Sequence, residues 1–292
     1  MTQPRQEESG PGRGYKVSIV IPAGRQRYLE LLIPSIIQQD GWDELKIWIN
    51  TTNPQDLNYI ESLPNLDKRI SLSQPPLYPP NGNTTIGQFF QDCVSPDTVY
   101  IRFDDDICFI ERDLIKNLAK FRADNPEPFL ISPVVINNAI ISYILQVLGK
   151  LFHPIQLTAN CLDPIAWNNP GFAEQLHRLF LAVLAENNIN HFKFPSRPIA
   201  INRFSINCIS WLGSEFKKFD GLVPFRADEE EFLSVTKPTQ LGRFNYIFGG
   251  GVVSHFSFFT QRDHLDKTDI LDLYKELLQK NNSAPSLRRD LS

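Results

Sequence analysis

The sequence predicts an α/β fold: an open mixed sheet, mostly parallel, with helices on both faces and a helical insertion. Three observations predict it. Between Lys16 and Ile110, short β-branched runs alternate with helix-length segments across short connections, the pattern of strands joined by crossover helices. These runs are apolar almost throughout, as strands covered on both faces are. After Ile136 the alternation lapses until Pro198, and two helical patterns, Ala139–Leu151 and Gly171–Glu186, fill the gap as an insertion over the sheet.

Taken in order, Lys16–Pro22 (KVSIVIP) reads as a buried strand. It runs into the loop Ala23-Gly24-Arg25-Gln26-Arg27 and an apolar helix, Tyr28–Gln39, that Pro34 kinks or divides. Leu45–Thr51 is a second strand. Asn53-Pro54 then supplies an N-cap and an N1 proline, starting a helix to about Leu63. Arg69–Gln74 is a short strand, and the four prolines of Pro75–Asn83 demand a loop. A helix over Thr84–Val94 precedes the strand Thr98–Phe103, which stops on Asp104, Asp105 and Asp106. A helix from Glu111 to about Ala123 and a strand, Phe129–Ile136, follow. Beyond the insertion, Ile199–Trp211 has strand character. Leu222–Phe232 holds a second acidic run, Asp228-Glu229-Glu230-Glu231. Phe244–His255 is a strand containing Gly249, Gly250 and Gly251, which mark a bulge or a close backbone approach. Thr268–Lys280 is a closing amphipathic helix.

The 292 residues, 42% hydrophobic and 21% charged, suit one globular domain over 15–280 between polar tails at 1–14 and 281–292, both expected to be flexible. A net charge of −4 argues against a nucleic-acid partner. No apolar run is long enough to span a membrane, and the opening residues lack the core of a secretory signal. Cys93, Cys108, Cys161 and Cys208 are scattered and read as reduced thiols, with cytoplasmic location the expectation. A P-loop, a GxGxxG turn and a GxSxG elbow are absent, which argues against P-loop kinases, dinucleotide dehydrogenases and serine hydrolases.

In open α/β sheets ligands bind beyond the carboxyl ends of the strands. Pro22–Arg27, Asn50–Thr52 and Asp104–Asp106 all lie at such ends. Three adjacent carboxylates repel, and a divalent cation relieves the repulsion; a solvated acidic turn is the plainer reading. His255 at a later strand end is a further metal candidate, though a lone histidine is more often structural. The 228–231 run fits either a helix start, with carboxylates near the positive end of the dipole, or a base presented to a cleft.

In this order the motifs resemble the nucleotide-sugar-dependent glycosyltransferases of the GT-A fold, most closely the broad family 2 group. Val17–Pro22 is similar to that group's opening strand and nucleotide loop. Tyr100–Asp106 resembles the strand leading to its DxD motif. Phe219-Asp220-Gly221 with Asp228–Phe232 resembles the acceptor-side stretch that carries the base. Gly249–His255 resembles the late strand whose histidine completes a metal site. The resemblance covers roughly residues 16–262.

It implies a metal-dependent, inverting transfer of a sugar from a nucleoside-diphosphate donor, a UDP-sugar first among them, to a hydroxyl of a glycan, lipid-linked or small-molecule acceptor. Residues 15–110 would form the nucleotide-binding half and 111–280 the acceptor half. Mn²⁺ or Mg²⁺ would be held by Asp104, Asp106 and His255. Pro22, Ala23, Gly24, Arg25, Asn50, Asp104, Asp105 and Arg262 would contact the donor. Strand alternation turns Asp105 away from its neighbours and makes it the least important of the three. Glu229 would be the base, with Asp228 and Glu230 next. Phe256, Phe258 and Phe259 are candidates for a sugar-stacking wall, with core packing expected of at least two. In that group the second strand commonly ends on an Asp that reads the base; here it ends Ile49-Asn50-Thr51. The alternatives are a non-catalytic nucleotide- or glycan-binding relative, or a sugar-phosphate nucleotidyltransferase, for which Pro22–Arg27 is a poor triphosphate loop.

Overall fold

The computed structural model describes residues 14–74, 79, 83–225 and 227–283. Most of the tails expected at 1–14 and 281–292 (residues 1–13 and 284–292) and nearly all of the proline-rich loop lie outside them.

The elements, in chain order, are β1 (Lys16–Ala23), α1 (Gln26–Ile37), β2 (Glu44–Ile49), α2 (Pro54–Ser62), β3 (Ile70–Ser73), α3 (Asn83–Ile86), β4 (Thr98–Phe103), β5 (Ile107–Ile110), α4 (Leu114–Asp124), β6 (Ile131–Ile136) and α5 (Ala139–Val147). Then come α6 (Pro170–Ala185), β7 (Arg197–Ala200), β8 (Cys208–Leu212), α7 (Gly213–Lys217), α8 (Glu229–Glu231), α9 (Lys237–Leu241), β9 (Asn245–His255), α10 (Phe259–Leu265) and α11 (Ile270–Ser283).

The strands form one open sheet in the order β3-β2-β1-β4-β8-β6-β9-β5, with β7 also paired to β9. β3, β2, β1 and β4 are mutually parallel, and β6 runs parallel to β9. β8 lies antiparallel between β4 and β6, while β5 and β7 pair antiparallel with β9. The expected mixed, mostly parallel sheet is the one found. β1, β4 and β6 are buried nearly end to end, which explains why they are apolar almost throughout.

Local chemistry accounts for the boundaries. Asn53 caps α2 by accepting from the backbone N–H groups of Gln55 and Asp56, with Pro54 at the first helical position. Pro34 lies inside α1 without dividing it.

Two segments differ from the sequence reading. Thr84–Val94 is not one α-helix: α3 is followed by 3-10 turns over Gly87–Asp92. These turns bury the consecutive rings of Phe89 and Phe90, stacked 4.1 Å apart. Ile199–Trp211 is split, because residues 201–207 leave the sheet between β7 and β8. Phe204, Ser205, Ile206 and Asn207 are all buried in succession, as residues of the covered strands β1 and β4 are, although the backbone here has left the sheet.

The glycine run in β9 is a bulge. Pro133 pairs with Phe248 and the next residue, Val134, with Val252, so the three glycines loop out between them. A Cβ on Gly249 would lie 1.9 Å from the carbonyl oxygen of Phe194. Past the bulge, β9 pairs with β5 and sets His255 opposite Ile107. The 137–198 segment places α6 against α10 and α11 and carries Leu162 and Trp167 to the edge of the cavity described next. No described helix is long and apolar enough to cross a membrane. The four cysteines are free and buried.

Candidate functional site

A cavity of about 920 Å³ opens at the carboxyl ends of β1, β2, β4 and β9. The register of the sheet explains which side chains meet there. β4 ends at Phe103, and a tight turn, closed by the Ile107 N–H donating to the Asp104 carbonyl, carries the three aspartates into β5. Phe103 pairs with Cys208, so Asn207 stands beside Asp104: the Asp104 N–H donates to the Asn207 carbonyl (2.8 Å), and Asn207 Nδ2 to Asp104 Oδ2 (3.2 Å). Ile107 pairs with His255, so the imidazole falls beside Asp106, with Nε2 3.4 Å from Oδ1.

Asp104, Asp106 and His255 each offer a ligand atom, and those atoms lie within 4.8 Å of one another. The donor set fits a divalent cation. Two carboxylate oxygens and an imidazole suit Mn²⁺ or Mg²⁺ with room for outside ligands. The other ring nitrogen, Nδ1, faces the Asn137 carbonyl at 3.1 Å, the outer contact that fixes the tautomer of a metal-binding histidine. Among the described residues, six carboxylates line the cavity (Asp104, Asp105, Asp106, Asp228, Glu229 and Glu230) with four arginines (Arg25, Arg102, Arg203 and Arg262).

Asp105, in the turn beyond β4 where strand alternation no longer applies, lines the same cavity and is not idle. Its carboxylate accepts from the Gly24 N–H (2.9 Å) and from the Arg25 guanidinium, joining the loop after β1 to the acidic turn. Arg25 Nη2 also lies 3.0 Å from Asp106 Oδ2, and Arg262 approaches the same oxygen at 3.6 Å from α10. Burial would raise Asp106, yet Arg25, His255 and Arg262 outweigh it and hold the carboxyl well below the usual range. Burial would lower His255, and Asp106 reverses that, raising the imidazole above its ordinary value. Burial raises Asp104, with Arg102 opposing.

Arg102 carries no signal in the sequence beyond its place in β4. Its guanidinium is buried, 2.8 Å from Asp104 Oδ1 and 3.0 Å from Glu229 Oε1. Nε and Nη1 have no hydrogen-bond partner, and the group lies near the rings of Phe89 and Phe90.

The acidic run is divided by its partners. Asp228 caps α8 by accepting from the Glu231 N–H. Arg203 gathers Asp228 (2.7 Å), Glu230 (2.9 Å) and Glu231 (3.2 Å). Glu229 alone turns to Arg102 and the aspartates, and its Oε2 is buried without a hydrogen-bond partner. Burial pushes Glu229 up to about 7 against the pull of Arg102.

Of the residues expected at the site, Pro22, Gly24, Arg25, Asn50, Asp104, Asp105, Asp106, Asp228, Glu229, Glu230, His255 and Arg262 line the cavity. Ala23 does not: it is a fully buried β1 residue. Only Phe256 of the three phenylalanines is core; Phe258 is half-buried, and Phe259 is 70% exposed. Arg102, Arg203, Asn207 and Trp167 also line it. Their only sequence signal was adjacency to a strand end or to the irregular segments.

No protein-family model and no curated protein sequence matches the chain. Solved structures do. A mannosyltransferase from Pyrobaculum calidifontis, solved with GDP-Man and Mn²⁺, superposes at a TM-score of 0.51 and 11% identity over 98% of this chain and 80% of that one. A CMP:2-keto-3-deoxy-manno-octonic acid synthetase complexed with CTP gives 0.47 and 11%, over 91% of this chain and 99% of that one. GalNAc-T7 with UDP, GalNAc and Mn²⁺ gives 0.49 and 12%, over 91% of this chain but 48% of that one, so the chain spans about half its length. Carried by the mannosyltransferase likeness, the conclusion concerns architecture: this chain has the GT-A-like α/β fold.

Proposed function

We propose that the protein is a metal-dependent glycosyltransferase that moves a sugar from a nucleoside-diphosphate donor to an acceptor hydroxyl with inversion. The observation that carries this reading is the pairing, in one cavity, of the Asp104–Asp106–His255 cluster with a single unshared carboxylate oxygen on Glu229. A divalent cation held by those three residues would offset charge on a diphosphate leaving group.

The chain's own residues supply the rest. Arg25 and Arg262 flank Asp106 from the β1 loop and from α10, and bring two further positive charges to the same point. Pro22 and Asn50 line the cavity beside that loop, where the nucleoside would lie. Glu229 takes the proton from the acceptor hydroxyl as the hydroxyl oxygen bonds to the anomeric carbon and the diphosphate departs. A base titrating near 7 suits that work at neutral pH. Asp228 and Glu230 are the poorer candidates, since Arg203 occupies both.

The experiment is a panel of UDP, GDP, CMP and dTDP, each with Mn²⁺ and with Mg²⁺, followed by turnover of the matching sugar nucleotide with a UDP-sugar first. Glu229→Gln is expected to retain donor binding and lose transfer by roughly 10²–10⁴-fold. Failure of every nucleotide to bind in the presence of metal would overturn the reading. A requirement for a nucleoside triphosphate would replace it with nucleotidyl transfer.

A further inference from the structure

We infer that the acceptor is a saccharide, seated on an aromatic platform of Trp167, Phe258 and Phe259 and held at its edges by Arg203, Asp228 and Glu230. As a statement about the acceptor it rests on the glycosyl-transfer reading; as a statement about binding it stands alone.

The rings run outward from the candidate metal site. Phe258 lies 4.8 Å from the His255 ring, Trp167 lies 6.2 Å from Phe258, and Phe259 meets Trp167 edge-on at 5.3 Å. The outermost ring, Phe259, is 70% exposed, and Leu162 beside the same cavity is 48% exposed. Single exposed apolar residues are ordinary. A group of them around a cavity mouth, next to charged side chains, is the composition of a ligand groove.

The platform is held rigidly from behind. Gln261 is fully buried; its Oε1 accepts from the Phe258 N–H and from Asn137 Nδ2, and its Nε2 donates to the Ala166 carbonyl. Thr260 Oγ1 donates to the carbonyl of Trp167 itself. This network fixes the backbone at Trp167 and Phe258, so little ordering of those two rings remains to be done on binding.

In the lining of the same cavity, Arg203 orients the Asp228 and Glu230 carboxylates, which retain acceptor capacity for hydroxyl donors. A sugar ring presents a C–H face and a rim of hydroxyls, which this surface matches on both counts. An acyl or polyprenyl chain would leave the charged side without partners. The acidic lining also disfavours a phosphate carried next to the acceptor hydroxyl.

The test exploits the tryptophans. Of the four in the chain, Trp42, Trp48 and Trp211 are buried, so Trp167 alone can respond directly to a ligand in the cavity. Intrinsic fluorescence of the full chain would be titrated with methyl glycosides of glucose, mannose, galactose and N-acetylglucosamine and with their disaccharides, without metal or donor. A saturable change is expected with at least one of them, absent in Trp167→Phe. Phe259→Ala, at an exposed position that leaves the core intact, should weaken that saccharide by roughly tenfold. No saturable response across the panel would overturn the inference, as would a response confined to phosphatidylcholine vesicles carrying a polyprenyl phosphate. Saccharide binding without any turnover would uphold the platform and refute transfer. Transfer to a peptide or lipid without a saccharide response would do the reverse.

Discussion

Replacing Arg102 by methionine removes a cation that links the aspartate turn to Glu229. Its Nη2 lies 2.8 Å from Asp104 Oδ1 and 3.0 Å from Glu229 Oε1, with water largely excluded from the guanidinium. At that range, and an effective dielectric of about 20, the attraction is worth about 4 kcal/mol, or about three pK units. Glu229 already titrates at about 7 with Arg102 in place, because burial outweighs the ion pair. Without Arg102 it should titrate near 10 by the same estimate, and its ionised fraction at pH 7 should fall from about half to about one in a thousand. A base must be ionised to accept a proton, so transfer in the native chain should rise with pH and reach half-maximum near 7. In R102M the rise should shift to beyond pH 9, with a loss of two to three orders of magnitude at neutrality. Stability should follow the opposite course. A carboxyl whose folded pKa is raised contributes fully below its unfolded value, and that contribution is lost as pH rises through the folded one. R102M should therefore melt closest to wild type in mild acid and fall further behind as pH increases. Its deficit should approach the roughly 3–5 kcal/mol of a broken buried pair. R102K keeps a charge and should shift the profile less. The assays are a pH–rate profile and thermal melts across the same pH range. A rate profile for R102M that overlays wild type would refute the proposed coupling between Arg102 and the base.

Two further outcomes follow from the same geometry. Asp106→Ala removes the carboxylate that His255, Arg25 and Arg262 all approach, and is expected to abolish the metal-dependent part of nucleoside-diphosphate binding in isothermal titration. Wild-type affinity that is equal with Mn²⁺ and with chelator would sink the metal assignment. Gly249→Ala places a Cβ 1.9 Å from the Phe194 carbonyl oxygen, so urea unfolding should show a loss above roughly 2 kcal/mol. Because the bulge sets the register that brings His255 beside Asp106, metal affinity should fall with it.

The sheet was legible because its strands obey simple rules. β1 and β4 are apolar almost throughout, and α2 announces itself with Asn53-Pro54. The segment between β7 and β8 was not legible. Buried neighbours at 204–207 imitate a strand while satisfying polar groups elsewhere, as Asn207 does with Asp104. Ala23 looked like part of the nucleotide loop because it adjoins Gly24 and Arg25, yet it is the last residue of β1 and faces the core. Core packing was expected of at least two of Phe256, Phe258 and Phe259, and only Phe256 is core. The place of Phe258 and Phe259 at a cavity mouth depends on Trp167, some ninety positions earlier in the chain, which no periodicity connects to them.

The acidic residues were visible, but which cation each would meet was not, and that limited the reading of the site. Arg25, Arg102, Arg203 and Arg262 come from four separated segments; Arg25 and Arg262 were expected at the donor, whereas Arg102 and Arg203 carried no such expectation. Folding sorts the carboxylates among them. Arg25 takes Asp105 and shares Asp106, Arg203 takes Asp228, Glu230 and Glu231, and Arg102 bridges Asp104 and Glu229. Any of 228–231 could have faced the cleft as far as spacing goes. The preference for Glu229 as the proposed base comes from a contact between residues 127 positions apart, and from the oxygen that this contact leaves unshared. Like charges placed side by side in a sequence therefore say where a site is. Which of them is free to react is decided by the cations the fold brings to the others.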